Sequence, residues 1–143
     1  EELSACAWGI AAAPAARRRI AAWLRARGVR ATFPIPRDRA RYHAACVFAS
    51  NFVTVLLAEA GRLAGRDPAL RRALALLAAA AVRRVLETGN PARALTGPAV
   101  RGDAATIRSH LRALAYDPVL REVYRHLSLR AVEVRGSVGK LGW

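Results

Sequence analysis

Apolar residues recur along this chain first in a strand-like and then in a helical period. Near the start, Ala5-Cys-Ala-Trp-Gly-Ile10 is a short, nearly continuous apolar run of the kind a buried strand shows. Pro14 then stands where the first turn of a helix tolerates proline. In AARRRIAAWLRARG the residues Ile20, Trp23 and Leu24 fall on one face before Gly28 stops the helix. VRATFPI follows as a second strand, and Pro34 near its end places it at an edge or a terminus. The pattern predicts β-α-β, the smallest parallel unit. Two strands do not make an independently stable sheet, so something else must complete it.

From Asp38 to about Gly65 the pattern predicts one long helix. Asp67-Pro68 restarts the chain, with Asp as N-cap and Pro at the first helical position, and leads into LRRALALLAAAAVRRVLE. Between Leu74 and Val82 this helix is apolar on all sides. It must therefore be enclosed, by the rest of the domain or by a second subunit. Thr88-Gly-Asn-Pro91 ends it, with Asn90-Pro91 capping a short turn through ARAL. Thr96-Gly97-Pro98 reads as a turn, and Asp103 as the N-cap of a helix running to about Tyr116. Asp117-Pro118 repeats the cap-and-proline device and opens VLREVYRHLSLRAVEV. The terminal GSVGKLGW has glycines and no periodicity, and reads as a tail or in part as added expression sequence. The fold class is mainly α, in three parts: a β-α-β segment over 1–36, a multi-helix domain over 37–134 and a flexible tail over 135–143. No internal repeat is evident.

Composition narrows the reading. The 143 residues make about one ordinary domain. The formal charge of +14 raises nucleic acid as a partner, since clustered cations gain affinity by releasing counterions. The arginines, however, are spread over every predicted helix; Arg17-Arg18-Arg19 is the one run, and no aromatics alternate with it as a stacking groove requires. An Arg-rich nucleic-acid-binding domain is thus the least favoured reading, behind a solvated basic surface or an acidic partner domain. Cys6 and Cys46 have no CxxC or His-spaced companion, which implies neither a metal site nor a disulfide and fits a reducing cytoplasm. LALLAAAAV is short, and Ser50, Asn51 and Thr54 interrupt the other apolar stretch, so no membrane span of ~20 residues is expected. No secretory signal is visible. With no Met, the sequence reads as a fragment of something longer.

The candidate chemistry sits in Tyr42-His-Ala-Ala-Cys-Val-Phe-Ala-Ser-Asn51, where polar side chains stand in an otherwise apolar helix. At ~100° per residue His43, Val47, Ser50 and Thr54 fall within about 60° of one another, with Asn51 on the flank. An imidazole exchanges protons near neutrality, which suits it to serve a carbonyl during hydride transfer. Ser50 and Asn51 can hydrogen-bond a substrate. The competing explanation is structural: His43 bonds a carbonyl, Ser50 bonds back to the preceding turn and Asn51 pins a helix contact. Three such residues on one stripe, extended by Thr54, favour a cleft-facing site. LTGPAVRGD is the second candidate. Gly97 and Gly102 permit close backbone approach beside Thr96, and Arg101 can clamp a carboxylate or phosphate. Asp103 is better explained as a cap. His110 and His126 read as structural or surface residues, Trp8 and Trp23 as packing for the β-α-β piece, Trp143 as exposed, and Cys46 as a small core residue.

YHAACVFASN, then ALTGPAVRGDAATIRSHLRAL and DPVLREVYRHLSLRAVE, resemble the C-terminal half of the Rossmann-like oxidoreductases that carry domain of unknown function 2520. CAWGI, a helix and ATFPI are similar to the closing strands of that family's nucleotide-binding domain, so the resemblance covers most of the chain. It implies an N-terminal Rossmann domain that holds NADP or NAD. It also implies an α-helical C-terminal domain similar to those of the six-phosphogluconate dehydrogenase superfamily, which usually dimerise. Substrate then lies beside the first long helix, with His43, Ser50 and Asn51 as catalytic candidates and Thr54, Thr96, Gly97 and Arg101 as substrate contacts. The expected partners are a second copy in a homodimer, the Rossmann domain and a small-molecule substrate. There are two departures. The phosphate-cradling GxGxxG is absent, because GVR and GNP lack its spacing and its preceding strand, so the chain alone is expected to hold neither NADP nor NAD and to be inactive. The Lys that serves as base on this helix in related hydroxyacid dehydrogenases is also absent. The alternative is a non-catalytic helical dimerisation module with the polar stripe at its interface.

Overall fold

The computed structural model describes residues 7–136, so the readings of Cys6, of Trp143 and of nearly all of the 135–143 tail lie outside the described residues. The chain divides into two compact units, Glu1–Glu59 and Ala60–Trp143.

The first unit opens with β1 (Ala7–Ile10), α1 (Pro14–Arg25) and β2 (Ala31–Pro34). The strands pair in parallel, Ala7 opposite Ala31 and Ile10 opposite Pro34. Beyond Pro34, which has no N–H, the Ile35 N–H donates to the Ile10 carbonyl at 3.3 Å and extends the pairing. Gly9 permits this approach: a Cβ there would stand 2.8 Å from Ile35 Cγ1 and 3.2 Å from Phe33 Cε2. Ile10, Ala21, Leu24 and Val29 form the core. The expected packing face of α1 is corrected in part, for Leu24 is buried while Ile20 and Trp23 are 40% and 55% exposed. A two-stranded sheet is too narrow to cover more than the Ala21–Leu24 stripe. Trp23 instead carries the Arg27 guanidinium 3.7 Å above its ring.

Asp38 caps α2 (Arg39–Ala49) by accepting the Arg41 N–H at 2.9 Å. The single uninterrupted helix expected from Asp38 is instead two, because the rod is disturbed at Ser50 (φ −127°, ψ −70°) before α3 (Asn51–Leu63). The ladder still runs on either side, from Ser50 N–H to Cys46 O and from Thr54 N–H to Ser50 O. A side-chain bond inserted into the i−4 ladder explains the distortion: Ser50 Oγ–H donates to Cys46 O at 2.7 Å. Taken together, Arg39–Leu63 spans 25 residues at a mean hydropathy of 1.6, long and apolar enough to cross a membrane. This corrects the reading that Ser50, Asn51 and Thr54 interrupt it too strongly. Core helices of water-soluble proteins reach the same values.

The second unit continues with α4 (Pro68–Thr88), α5 (Pro91–Ala94), α6 (Pro98–Arg101), α7 (Ala104–Ala113) and α8 (Pro118–Arg135). Asp67, Asn90, Asp103 and Asp117 cap α4, α5, α7 and α8 through their side chains. The short helix α6 begins at Pro98, the last residue of the expected Thr96-Gly97-Pro98 turn. Helices α5, α6 and α7 gather against α8. Among the described residues of this unit Ala94, Ile107, Leu114 and Ser128 are buried, Ile107 completely so. Arg135 Nη1 donates to Ala92 O at 2.8 Å, tying the end of α8 to α5.

Helices α2, α3 and α4 contain no buried residue. On α4, Leu76, Leu77, Val82 and Leu86 are 53–77% exposed. The enclosure that an all-round apolar helix requires is not supplied by the described residues of this chain.

Candidate functional site

The polar stripe lies on the rod formed by α2 and α3, where backbone continuity alone fixes the relative positions of its members. His43 is exposed on α2 and has no side-chain partner among the described residues. Two turns on, Ser50, Asn51 and Thr54 form a local network. Ser50 Oγ lies 2.7 Å from Cys46 O and 2.8 Å from Asn51 Oδ1, and Thr54 Oγ1–H donates to Ser50 O at 3.3 Å. Serine has one hydroxyl proton, so it serves one of those two acceptors at a time. The hydroxyls of Ser50 and Thr54 thus have partners inside their own helix, whereas the His43 imidazole does not. All four side chains are exposed.

Tyr42 is a neighbour that sequence reasoning passed over. It is half-buried, its ring centroid lies 6.1 Å from that of Phe33, and its hydrogen bond with Cys46 one turn on raises the phenol above its ordinary pKa. The i, i+4 spacing of Tyr42 and Cys46 was the available signal.

In the second unit Thr96, Gly97 and Arg101 stand within six residues of one another, Thr96 and Gly97 just before α6 and Arg101 at its end. Gly97 caps α6 at φ 111°, ψ 177°, which an L side chain rarely adopts. Arg101 is exposed, and its guanidinium makes no hydrogen bond or ion pair among the described residues. Asp103 is a cap as expected: its carboxylate accepts the Thr106 N–H at 3.0 Å and the Thr106 hydroxyl at 2.7 Å. Those bonds, assisted by the Arg101 charge, hold its pKa below the ordinary value. His110 Nδ1 meets Tyr124 Oη at 2.7 Å and joins α7 to α8, while His126 Nδ1 bonds Glu122 O at 2.8 Å within α8. These contacts account for both histidines structurally. No group of three or more His, Cys, Asp or Glu is placed to hold a metal among the described residues.

The family model described as Domain of unknown function (DUF2520) matches residues 6–131. The chain belongs to the DUF2520 family. A solved structure similar to this DUF2520 chain is that of a "putative NADP oxidoreductase" from Bacteroides fragilis, 32% identical with a TM-score of 0.64. The match covers 80% of this chain and 46% of that one, so the DUF2520 chain spans less than half the length of its neighbour. No curated protein matches the sequence.

A dinucleotide needs a glycine-bearing turn whose backbone N–H groups face the pyrophosphate. Between β1 and α1 this DUF2520 chain has Ala11, Ala12 and Ala13 followed by Pro14, and Ala13 makes no side-chain cap bond. Three Cβ atoms and a missing N–H do not fit that cradle.

Proposed function

We propose that this chain is the helical substrate-binding and dimerisation part of an NADP-dependent oxidoreductase, the dinucleotide being held by a Rossmann domain outside this sequence. The observation that carries the reading is the DUF2520 match over 6–131, together with the likeness to the Bacteroides fragilis protein. In this reading His43 exchanges a proton with a substrate oxygen as the adjoining carbon is oxidised or reduced. Ser50 and Asn51 orient that substrate, and Thr54 extends the polar surface. Within the second unit, Thr96, Gly97 and Arg101 offer a contact of their own, in which the guanidinium binds a negatively charged group through two parallel bonds. The exposed apolar faces of α3 and α4 support burial against a second copy.

One observation favours a second reading, the non-catalytic dimerisation module: Ser50 and Thr54 spend their protons on backbone carbonyls. Replacement in the full-length parent separates the two. His43→Gln and Asn51→Leu should each lower kcat/KM with NADP by about tenfold or more while the dimer persists, the loss expected for a positioned proton donor or hydrogen bond. Loss of the dimer with ligand affinity unchanged in Asn51→Leu would establish the second reading.

A further inference from the structure

The backbone cradle for phosphate is missing from the first unit, yet side chains there form an anion-binding groove of another kind. Between α1 and β2 lies a groove of about 230 Å³, lined by Arg17, Arg18 and Arg25 on the helix and by Thr32 and Pro34 on the strand, with Ile10 at its floor. Ile10 and Pro34 are the last residues of β1 and β2, so the groove reaches the carboxyl ends of the strands, where open α/β sheets receive ligands. No acidic residue lines it among the described residues. From Ala7 to Leu57 the sequence carries nine arginines and one acid, Asp38, whose carboxylate already caps α2. Arg17, Arg18 and Arg25 have no hydrogen-bond or ion-pair partner for their guanidinium groups among the described residues.

We infer that this groove binds a small phosphate or pyrophosphate anion. Three unpaired guanidinium groups around one concavity repel each other, and an anion held between them relieves that repulsion. A guanidinium presents its donors as a fork that matches two phosphate oxygens, and the Thr32 hydroxyl adds a neutral donor. The size of the groove favours a phosphate group over an extended ligand, since pockets for drug-sized molecules run to roughly 300–1,000 Å³. A nucleic-acid strand is disfavoured because the one aromatic that lines the groove, Phe33, is half-buried and already packs near Tyr42. The inference is independent of the oxidoreductase reading and uses none of its residues.

Calorimetric titration of the 143-residue chain with inorganic pyrophosphate at fixed ionic strength tests it, with circular dichroism recorded on every variant. Saturable one-to-one binding is expected. Arg18→Gln and Arg25→Gln should each weaken it roughly tenfold to a hundredfold, the range for one charge-assisted bond. Arg18→Lys should fall between, and Arg112→Gln, on the exposed face of α7, should leave it unchanged. A parallel titration with NADP separates the sources: tighter binding than pyrophosphate identifies a nucleotide phosphate, equal or weaker binding a free ion. Absence of saturable binding, or equal losses in the Arg18 and Arg112 variants, overturns the inference. So does binding of duplex DNA that outcompetes pyrophosphate and falls steeply with salt.

Discussion

Ser50 Oγ lies 2.7 Å from the carbonyl oxygen of Cys46, one turn back on the same rod, and this bond bears on both the shape and the chemistry of the polar stripe. It coincides with the change of backbone angles that separates α2 from α3. It also occupies the proton that Ser50 would offer a substrate, so a ligand must compete with Cys46 O or approach the hydroxyl as a donor. His43 carries no such commitment among the described residues. The stripe is therefore chemically uneven, with one free imidazole at one end and a self-bonded cluster at the other.

Removing the Ser50 hydroxyl should regularise the helix. Alanine has the higher helix propensity by about 0.5 kcal/mol, and Ser50→Ala also deletes the competing bond to Cys46 O. The expected result is a slightly higher unfolding free energy, by about that amount, and helical ¹³C chemical shifts at position 50. A loss of stability instead would mean that the Ser50–Asn51 contact supports the fold.

Burial separates the apolar residues of the second unit into two kinds. Ile107 is 0% exposed, and Ile107→Ala should cost about 2–5 kcal/mol through lost burial and a residual cavity. Leu86 is 77% exposed, and Leu86→Ala in the isolated chain should change stability by no more than about 0.5 kcal/mol. Urea denaturation of the two variants provides the contrast.

Local chemistry was legible in the sequence because its partners lie within a few residues. Asp67, Asn90, Asp103 and Asp117 each accept a backbone N–H from the helix they open. The parallel β-α-β unit was legible for a similar reason, since two short apolar runs flanking a helix leave few alternatives. The exposure of Ile20 and Trp23 was not legible: periodicity tells which face of α1 is apolar but not how much sheet is present to cover it. The break at Ser50 depends on a rotamer choice that spacing does not reveal. For the site, the sequence supplied residue types and a shared helix face. What stands opposite His43 or Arg101 depends on neighbours in space, which neither residue type nor helical spacing specifies.

The Asp103 carboxylate should make stability pH-dependent in acid. Its folded pKa is depressed, first by the Thr106 hydroxyl and then by the Thr106 N–H, from an ordinary value of 3.8. Its contribution is therefore complete above that value and is lost as pH falls through the lower folded pKa. Asp103→Asn keeps a capping oxygen but does not titrate, so its acid-unfolding profile should be flatter than that of the parent chain. Asp103→Ala should lower stability at neutral pH as well. Coincident profiles for the parent and the Asn variant would show that Asp103 does not contribute to the acid transition.

The exposed residues of α4 give the sharpest test of association. Leu76, Leu77, Val82 and Leu86 stand on different sides of the helix, so a single neighbour cannot cover them all. In the proposed reading a second copy and a Rossmann domain together cover them. Burying one such side chain stabilises a contact by about 1.5–3 kcal/mol, and a charge in its place adds a desolvation cost. Leu77→Asp and Leu86→Asp in the full-length parent should therefore differ: the one facing the second copy weakens the dimer at least tenfold in sedimentation equilibrium, whereas the one facing the Rossmann domain lowers the thermal midpoint with the dimer intact. If both variants match the parent in mass and in melting, α4 faces water in the assembled protein, and the dimerisation role assigned to this helix is wrong.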